Sequence, residues 1–200
     1  GALRKFTLSY LVFLSVLAGL SSTAVASDDV LMSSDDRVVV FGKFRLLKNG
    51  YETKFGDGVF GNVAALRLHR VDDQEEFTIK VGKSGEFSRR LAPGDYYVMN
   101  VSFKYRGETI RPDTNFMFNV SGDSSANYLG TLTLEATFGS DYNGTKGSFE
   151  RFLVADECAS VCERRLAELG LENADVTTSL PEWQTQVTIN RLLSPGGGLR

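Results

Sequence analysis

The chain has 200 residues, 42% hydrophobic and 24% charged, which is enough for one domain around a single hydrophobic core. Its 22 basic and 25 acidic residues give a formal net charge of −3, so no basic excess is available for nucleic-acid binding. One histidine and two cysteines leave too few ligands for zinc, haem or an iron–sulfur cluster, and we therefore expect no metal and no cofactor.

Residues 1–26 have the pattern of an export signal: a positive start, an apolar run over residues 8–20, and small residues before a cleavage site at Ser27. The residues that carry the pattern are Arg4, Lys5, Ala24 and Ala26. Residues 6–26 are also long enough to cross a bilayer at about 1.5 Å per residue. We therefore expect residues 1–26 to be either a signal peptide or a retained membrane anchor, with an acidic linker over residues 27–36.

Between residues 37 and 138, short runs of alternating apolar and polar residues recur about seven times with turn signals between them. The longest alternation predicts one face made of Tyr97, Met99, Val101, Phe103 and Tyr105. Two further alternations predict a face made of Leu132, Leu134, Ala136 and Phe138 and a face made of Ala64, Leu66 and Leu68. Half-buried alternation is typical of antiparallel sheets, so the predicted fold class is mainly β, an antiparallel β-sandwich over residues 37–138.

The hydrophobic period changes in the C-terminal extension, residues 139–200. Apolar residues at helical spacing predict one amphipathic helix over about residues 152–170, with Gly170 as its C-cap. Residues 181–193 are ambiguous, because Val187 and Ile189 also fit a last strand. The glycine-rich tail is predicted to be flexible.

The stretch from Gly85 to Tyr96 resembles the hallmark of carboxypeptidase regulatory-like, or transthyretin-like, domains. The matching residues are Gly85, Phe87, Leu91, Pro93, Gly94 and Tyr96. The resemblance implies a β-sandwich of an exported bacterial envelope protein with a non-catalytic accessory role. The residue chemistry agrees, because proline fixes φ at a turn, glycine supplies positive φ, and the two aromatic side chains can fill a core between two sheets.

Cys158 and Cys162 are four residues apart, which places both sulfurs on the apolar face of the predicted helix. In a regular helix the two Cα atoms are about 6 Å apart and the Cβ vectors do not converge, which disfavours a disulfide. Two readings remain open: buried free thiols that pack as small apolar groups, or a local disulfide. A redox site favours a Cys-x-x-Cys spacing, which this sequence lacks.

Other motifs give weak functional signals. His69 is predicted on the polar face of a strand, exposed or at a sheet edge, and no Gly-x-Ser-x-Gly elbow supports a triad through it. Residues 141–145 lack the calcium-loop spacing and are predicted to form a turn, and residues 56–58 are predicted to form a flexible loop rather than a phosphate site. Glycosylation sequons begin at Asn100, Asn119 and Asn143.

From these observations we expect no catalytic, cofactor-binding or metal-binding residues, and a non-enzymatic protein of the bacterial periplasm or cell envelope. It would act as a structural or accessory subunit, with other envelope proteins or membrane-complex subunits as partners and a membrane contact through residues 6–26. The alternative is a module that binds a glycan, peptidoglycan or a small hydrophobic ligand through the loop aromatics Tyr51, Phe55 and Phe60. A thiol redox or hydrolytic enzyme is the least favoured hypothesis.

Overall fold

The computed structural model describes residues 36–55, 64–105, 108–141 and 144–193. The predicted export segment, nearly all of the acidic linker, the loop at 56–58, Phe60, the Asn143 sequon and the glycine-rich tail lie outside these residues. Within the described part of the chain, no helix is both long enough and apolar enough to span a membrane.

The described residues form twelve strands and two helices. The strands are β1 (Val38–Lys48), β2 (Tyr51–Glu52), β3 (Ala64–Arg70), β4 (Glu76–Val81), β5 (Glu86–Leu91), β6 (Gly94–Tyr105), β7 (Glu108–Ile110), β8 (Asp113–Val120), β9 (Ala126–Asp141), β10 (Gly144–Ala155), β11 (Val176–Thr178) and β12 (Glu182–Trp183). The helices are α1 (Cys158–Glu168) and α2 (Gln186–Leu193). The seven predicted runs correspond to the longer strands before residue 138, and β2 and β7 are short additions.

The strands form two sheets. The first sheet has the order β10-β9-β1-β2, with β11 paired to β9 and β5 paired to β1; the second has the order β12-β8-β6-β3-β4, with β7 paired to β6. The pairs β1–β9 and β11–β9 are parallel, so the first sheet is mixed and the expectation of a purely antiparallel arrangement is wrong. Residue alternation reports that one face of a strand is buried, and it does not report the direction of the neighbouring strand.

One hydrophobic core is shared by both sheets. The core contains Val40 and Phe44 from β1, Leu66 from β3, Val101 from β6 and Leu132 from β9, each at most 1% exposed. Complete burial of such side chains contributes about 1.5–3 kcal/mol each. The mainly β, two-sheet part of the prediction is confirmed, and so are the predicted buried faces of β3 and β9.

The turn between β5 and β6 has the local chemistry that its sequence predicts. Gly94, at the end of this turn, has φ 139°, which a side-chain-bearing residue rarely adopts, and Gly85, in the turn before β5, has φ 85°. Phe87 and Tyr96 are at most 1% exposed, and the Tyr96 hydroxyl donates a hydrogen bond of 2.8 Å to the Ala92 carbonyl. The aromatic side chains therefore fix this turn against the core.

The alternation in β6 is interrupted by a bulge at Met99. Val98 and Val101 both lie in the core, so the residues that face inward have even numbers before Met99 and odd numbers after it. Tyr97 consequently lies opposite His69 on the outer face of the second sheet. The predicted single face over residues 97–105 is wrong because one extra residue reverses the side of every residue that follows.

The first sheet continues beyond residue 138, and the predicted helix at 152–170 is shorter than expected. Phe152 and Val154 belong to β10, where they pair with β9 and point toward the core, and the helix begins only at Cys158. Gly170 has φ 70° and its N–H donates to the Ala167 carbonyl at 3.0 Å, which confirms the predicted end of the helix.

Residues 186–193 form α2, so Val187 and Ile189 are helical and the strand considered for them is not formed. Ile189 is buried, at 2% exposure. The described part of the extension therefore has two helices, where the sequence predicted one.

Helix α1 packs on the outer face of the first sheet. A second hydrophobic cluster joins Phe41 of β1 and Tyr128 of β9 to Leu166 of α1, and the two aromatic ring centroids are 5.4 Å apart. At the side of the cluster, Arg164 Nη2 lies 2.6 Å from Glu86 Oε1 of β5. The helix is thus held by an apolar contact that is bordered by an ion pair.

Candidate binding groove

The two cysteines form a disulfide bond, with their Cα atoms 4.7 Å apart. The Glu157 carbonyl accepts hydrogen bonds from both the Ser160 N–H and the Val161 N–H, so the first turn of α1 combines three-residue and four-residue bonds. The Cα separation lies within the range that disulfides adopt and is shorter than the distance of about 6 Å in a regular helix. The Asp156 carboxylate accepts a hydrogen bond from the Cys158 N–H, and negative charge at this position disfavours a thiolate. The geometry therefore favours a structural disulfide over thiol chemistry.

His69 lies in an interior strand of the second sheet, between Glu76 of β4 and Tyr97 of β6. Both of its ring nitrogens are buried, and within the described residues neither has a hydrogen-bond partner. The prediction of an exposed or edge position is wrong because β3 is paired on both sides. The cross-strand neighbours of His69 include no serine or cysteine, so this register does not assemble a triad.

The three aromatic residues proposed as a glycan platform have different environments. Tyr51 is 80% exposed on β2, whereas Phe55 is 6% exposed and its ring centroid lies 5.7 Å from that of Phe44 in the core. Phe60 lies outside the described residues. Phe55 therefore has a packing role. Of the sequons, Asn100 is 8% exposed within β6, so its amide is poorly placed for glycosylation.

A groove with a volume of about 650 Å³ lies along one edge of the second sheet. We refer to it as the β8 groove. It is lined by Asp95 of β6, by Met117, Phe118 and Asn119 of β8, and by Thr178, Ser179, Leu180, Glu182 and Gln184 of the C-terminal segment. The sequence singled out only Asn119 among these residues, as a sequon, because the groove is made from segments that are distant along the chain.

The wall opposite β8 is a segment that passes from one sheet to the other. At one end, the Ser179 N–H donates to the Tyr128 carbonyl of the first sheet at 2.8 Å. At the other end, Glu182 pairs with Met117 of the second sheet. Leu180 lies between them and packs closely beside Gly130, where an added Cβ would be 2.8 Å from Leu180 Cδ2. The groove is therefore bounded by segments tied to both sheets.

The end of the groove is fixed by a strained residue in β8. Asn115 has φ 53°, an uncommon value for a non-glycine residue that is often found at binding sites. The Tyr97 hydroxyl donates to Asn115 Oδ1 at 2.7 Å, and the Gln184 N–H donates to the Asn115 carbonyl at 2.8 Å. Burial raises the pKa of Tyr97, and the charge of Asp113 raises it further, so the hydroxyl remains a donor at neutral pH.

The lining of the β8 groove is acidic and rich in hydrogen-bonding groups. Its charged residues are Asp95 and Glu182, and it includes no lysine, arginine or histidine. Asn119 Nδ2 donates to Asp95 Oδ1 at 2.8 Å, which orients that carboxylate. Met117 and Leu180 add apolar surface. Such a lining favours a ligand with positive charge or hydrogen-bond donors and disfavours an anion. In the described ranges, no group of three or more His, Cys, Asp or Glu residues is placed to hold a metal ion.

Comparison with known proteins gives little further information. No family model matches the chain, and no curated protein is significantly similar to it. Among solved structures, the chain is similar to a DUF3823 family protein from Bacteroides ovatus, with 12% identity and a TM-score of 0.23 over 76% of this chain and 83% of that chain. A TM-score this low does not establish a shared fold. The resemblance to carboxypeptidase regulatory-like domains therefore stays a prediction.

Proposed function

We propose that this protein is a non-catalytic accessory protein of the bacterial cell envelope that binds a partner protein through the β8 groove. The observation that carries the proposal is the groove itself, which is lined by polar and apolar side chains and bounded by segments tied to both sheets. Binding sites with a few polar groups on a preformed concave surface are the common arrangement for recognition.

The most reactive residue types of the described chain occupy structural positions, which supports a non-catalytic role. Cys158 and Cys162 are joined to each other within α1, and His69 lies on β3 between two paired strands of the second sheet. In the groove, Asp95 is engaged by Asn119. The groove thus offers recognition groups without a paired nucleophile and base.

Export to the envelope is supported by two independent features. Residues 1–26 have the composition of an export signal, with a positive start followed by an apolar run and small residues. The Cys158–Cys162 disulfide suits an oxidising compartment such as the periplasm. The resemblance to transthyretin-like domains adds the expectation of an accessory subunit.

In-cell photocrosslinking tests the proposal. A photoreactive amino acid replaces Thr178, an exposed residue of the groove, or Lys80, an exposed residue of β4 outside it. We expect an adduct of defined mass from position 178 and none from position 80, with the protein in the envelope fraction. Equal adducts at both positions, no adduct at position 178, or a cytoplasmic location would contradict the proposal.

The glycan-binding alternative retains one observation in its favour, the 80% exposure of Tyr51. An exposed aromatic ring can stack on a sugar, although Phe55 is no longer available to extend the platform. Titration with soluble peptidoglycan fragments tests it: binding that is lost on Tyr51→Ala would favour this alternative over the groove.

A further inference from the structure

Two hydrogen bonds determine which way the main-chain N–H and carbonyl groups of β8 point. The Val71 N–H donates to the Asp95 carbonyl at 2.9 Å, so the main chain of Asp95 faces β3 and turns away from its register partner Asn119. In such a non-hydrogen-bonded pair, both main chains point outward. The Gln184 N–H donates to the Asn115 carbonyl, so the main-chain groups of Asn115 and of every second residue after it, including Asn119, point away from β6. The N–H and carbonyl of Asn119 therefore point toward the β8 groove.

The groove leaves this part of the strand edge open. β12 pairs with β8 at Phe116 and Met117, and among the described residues no strand pairs with β8 beyond Met117 on this side. In a continuous ladder, Leu180 would be the partner of Asn119. Instead, the Ser179 N–H is bonded to the first sheet, and the chain leaves the edge at this point. An unpaired donor and acceptor on a strand edge can accept an extended peptide.

The side chains around the open edge select for positive charge. Asp95 and Asn119 are directly opposite each other and hydrogen-bonded, and Glu182 is exposed on the facing segment. The groove lining provides no compensating cation. Met117 and Leu180 provide apolar surface along which the methylene groups of a long basic side chain can lie.

We infer that the β8 groove binds an extended polypeptide segment of a partner protein, which pairs with Asn119 and places a lysine or arginine side chain between Asp95 and Glu182. This inference rests on the proposed function and adds the chemical class of the partner. The main-chain pairing gives the segment its direction, and the two carboxylates provide selectivity for a basic residue.

Peptide binding to the full chain tests the inference. The probe is a blocked pentapeptide whose central lysine has a valine on each side. Its binding at millimolar concentration is measured from the NMR resonances of the protein. Two matched peptides serve as controls: one has a central glutamate, and one has methylated main-chain nitrogens beside the lysine. We expect the lysine peptide to shift the Asn119 amide resonance and to bind about tenfold tighter than the glutamate peptide. The methylated peptide should not bind, because it cannot pair with a strand.

A charge-neutralising pair of variants completes the test. Glu182→Gln should weaken binding of the lysine peptide about threefold, the size expected for one partly exposed charge pair. Asp113→Asn changes an exposed carboxyl at the start of β8, outside the groove lining, and should leave binding unchanged. Both positions are exposed, so neither change is expected to prevent folding.

Three results would overturn the inference: no binding of the lysine peptide, equal binding of the lysine and glutamate peptides, or binding that survives main-chain methylation. A chitooligosaccharide that shifts the Asn119 amide resonance when the lysine peptide does not would also overturn it, in favour of a sugar site. If the peptides fail while crosslinks at position 178 persist, the proposed function stands and only the partner chemistry is wrong. Loss of the crosslinks would remove the proposed function itself.

Discussion

Replacing Tyr96 by phenylalanine removes the hydroxyl group that bonds the turn between β5 and β6, and it changes the free energy of unfolding in a pH-dependent way. The side chain is fully buried, and its hydroxyl donates to the Ala92 carbonyl at 2.8 Å. Loss of this hydrogen bond is expected to cost about 1–2 kcal/mol at neutral pH. The cost arises because a partly buried carbonyl loses its donor while the ring continues to fill the core.

At alkaline pH the deficit of the variant should become smaller. Burial raises the pKa of Tyr96 above the ordinary value of 10.0, the charges of Asp73 and Glu75 raise it further, and the charge of Arg70 opposes them. Above that ordinary value the unfolded chain loses the phenolic proton while the folded chain keeps it, so stability falls as the pH rises. The contribution from one such tyrosine reaches up to about 1.4 kcal/mol at about pH 11. Phenylalanine does not titrate, so the deficit of the Tyr96→Phe variant should shrink by up to about that amount.

Urea unfolding of the wild type and the Tyr96→Phe variant at about pH 8 and about pH 11 measures both parts of this prediction. Tyr51→Phe is the matched control, because its side chain is 80% exposed and its replacement should leave the free energy of unfolding nearly unchanged at both pH values. A deficit that stays constant between the two pH values would refute the reasoning, since it would mean that Tyr96 ionises as easily in the folded chain as in the unfolded one.

Three further predictions concern α1 and strand β9. Burial raises the pKa of Glu86, but its hydrogen bonds to Arg164 and Ser84 and the nearby positive charges lower it overall, below the ordinary value of 4.5. Glu86→Gln should therefore destabilise the protein by less than about 1 kcal/mol above that ordinary value and by progressively less below it. Unfolding measured across acidic pH tests this prediction. Reduction and alkylation of the Cys158–Cys162 disulfide should lower the free energy of unfolding by about 2 kcal/mol, since the bond closes a loop of sequence separation 4; a loss above about 4 kcal/mol would show that α1 depends on it. Gly130→Ala should lower stability by about 2 kcal/mol or more, because the residue has φ 88° and the new Cβ would lie 2.8 Å from two neighbouring atoms. Gly139→Ala in the same strand, with no atom within 4 Å, is its control in thermal unfolding, and equal effects of the two changes would contradict this assignment.

The alternation of apolar residues predicted the long strands and their buried faces well where each strand is regular. β3 and β9 follow the predicted parity, and Leu66 and Leu132 are at most 1% exposed. The prediction fails in β6, where the bulge at Met99 reverses the parity of the residues that follow. It also fails for Phe152 and Val154, which are two residues apart as in a strand, while Val154 is also four residues before Cys158 as in a helix. In both places a short pattern is compatible with two structures, and only pairing with a neighbour decides between them.

The β8 groove could not be predicted from sequence, because its two walls are separated by about sixty residues of chain and meet only through strand pairing. Asp95 and Asn119 have no special spacing, and Glu182 follows a buried proline in a segment without a recognisable motif. Their functional interest lies in the open strand edge beside them, which exists because the chain at Leu180 departs toward the first sheet.

By itself the sequence determined a mainly β chain with an export-type N-terminal pattern, a turn at Gly94 fixed by proline and glycine, and an amphipathic helix that ends at Gly170. These features are local: hydrophobic period, backbone freedom and capping act over a few residues, so the chain encodes them wherever it folds. Tertiary structure alone decided the parallel pairing of β1 with β9, the interior position of His69 and the acidic groove. Each of these depends on which strand or turn lies beside another, and that choice is made by burial of the shared core, which many separate segments stabilise together.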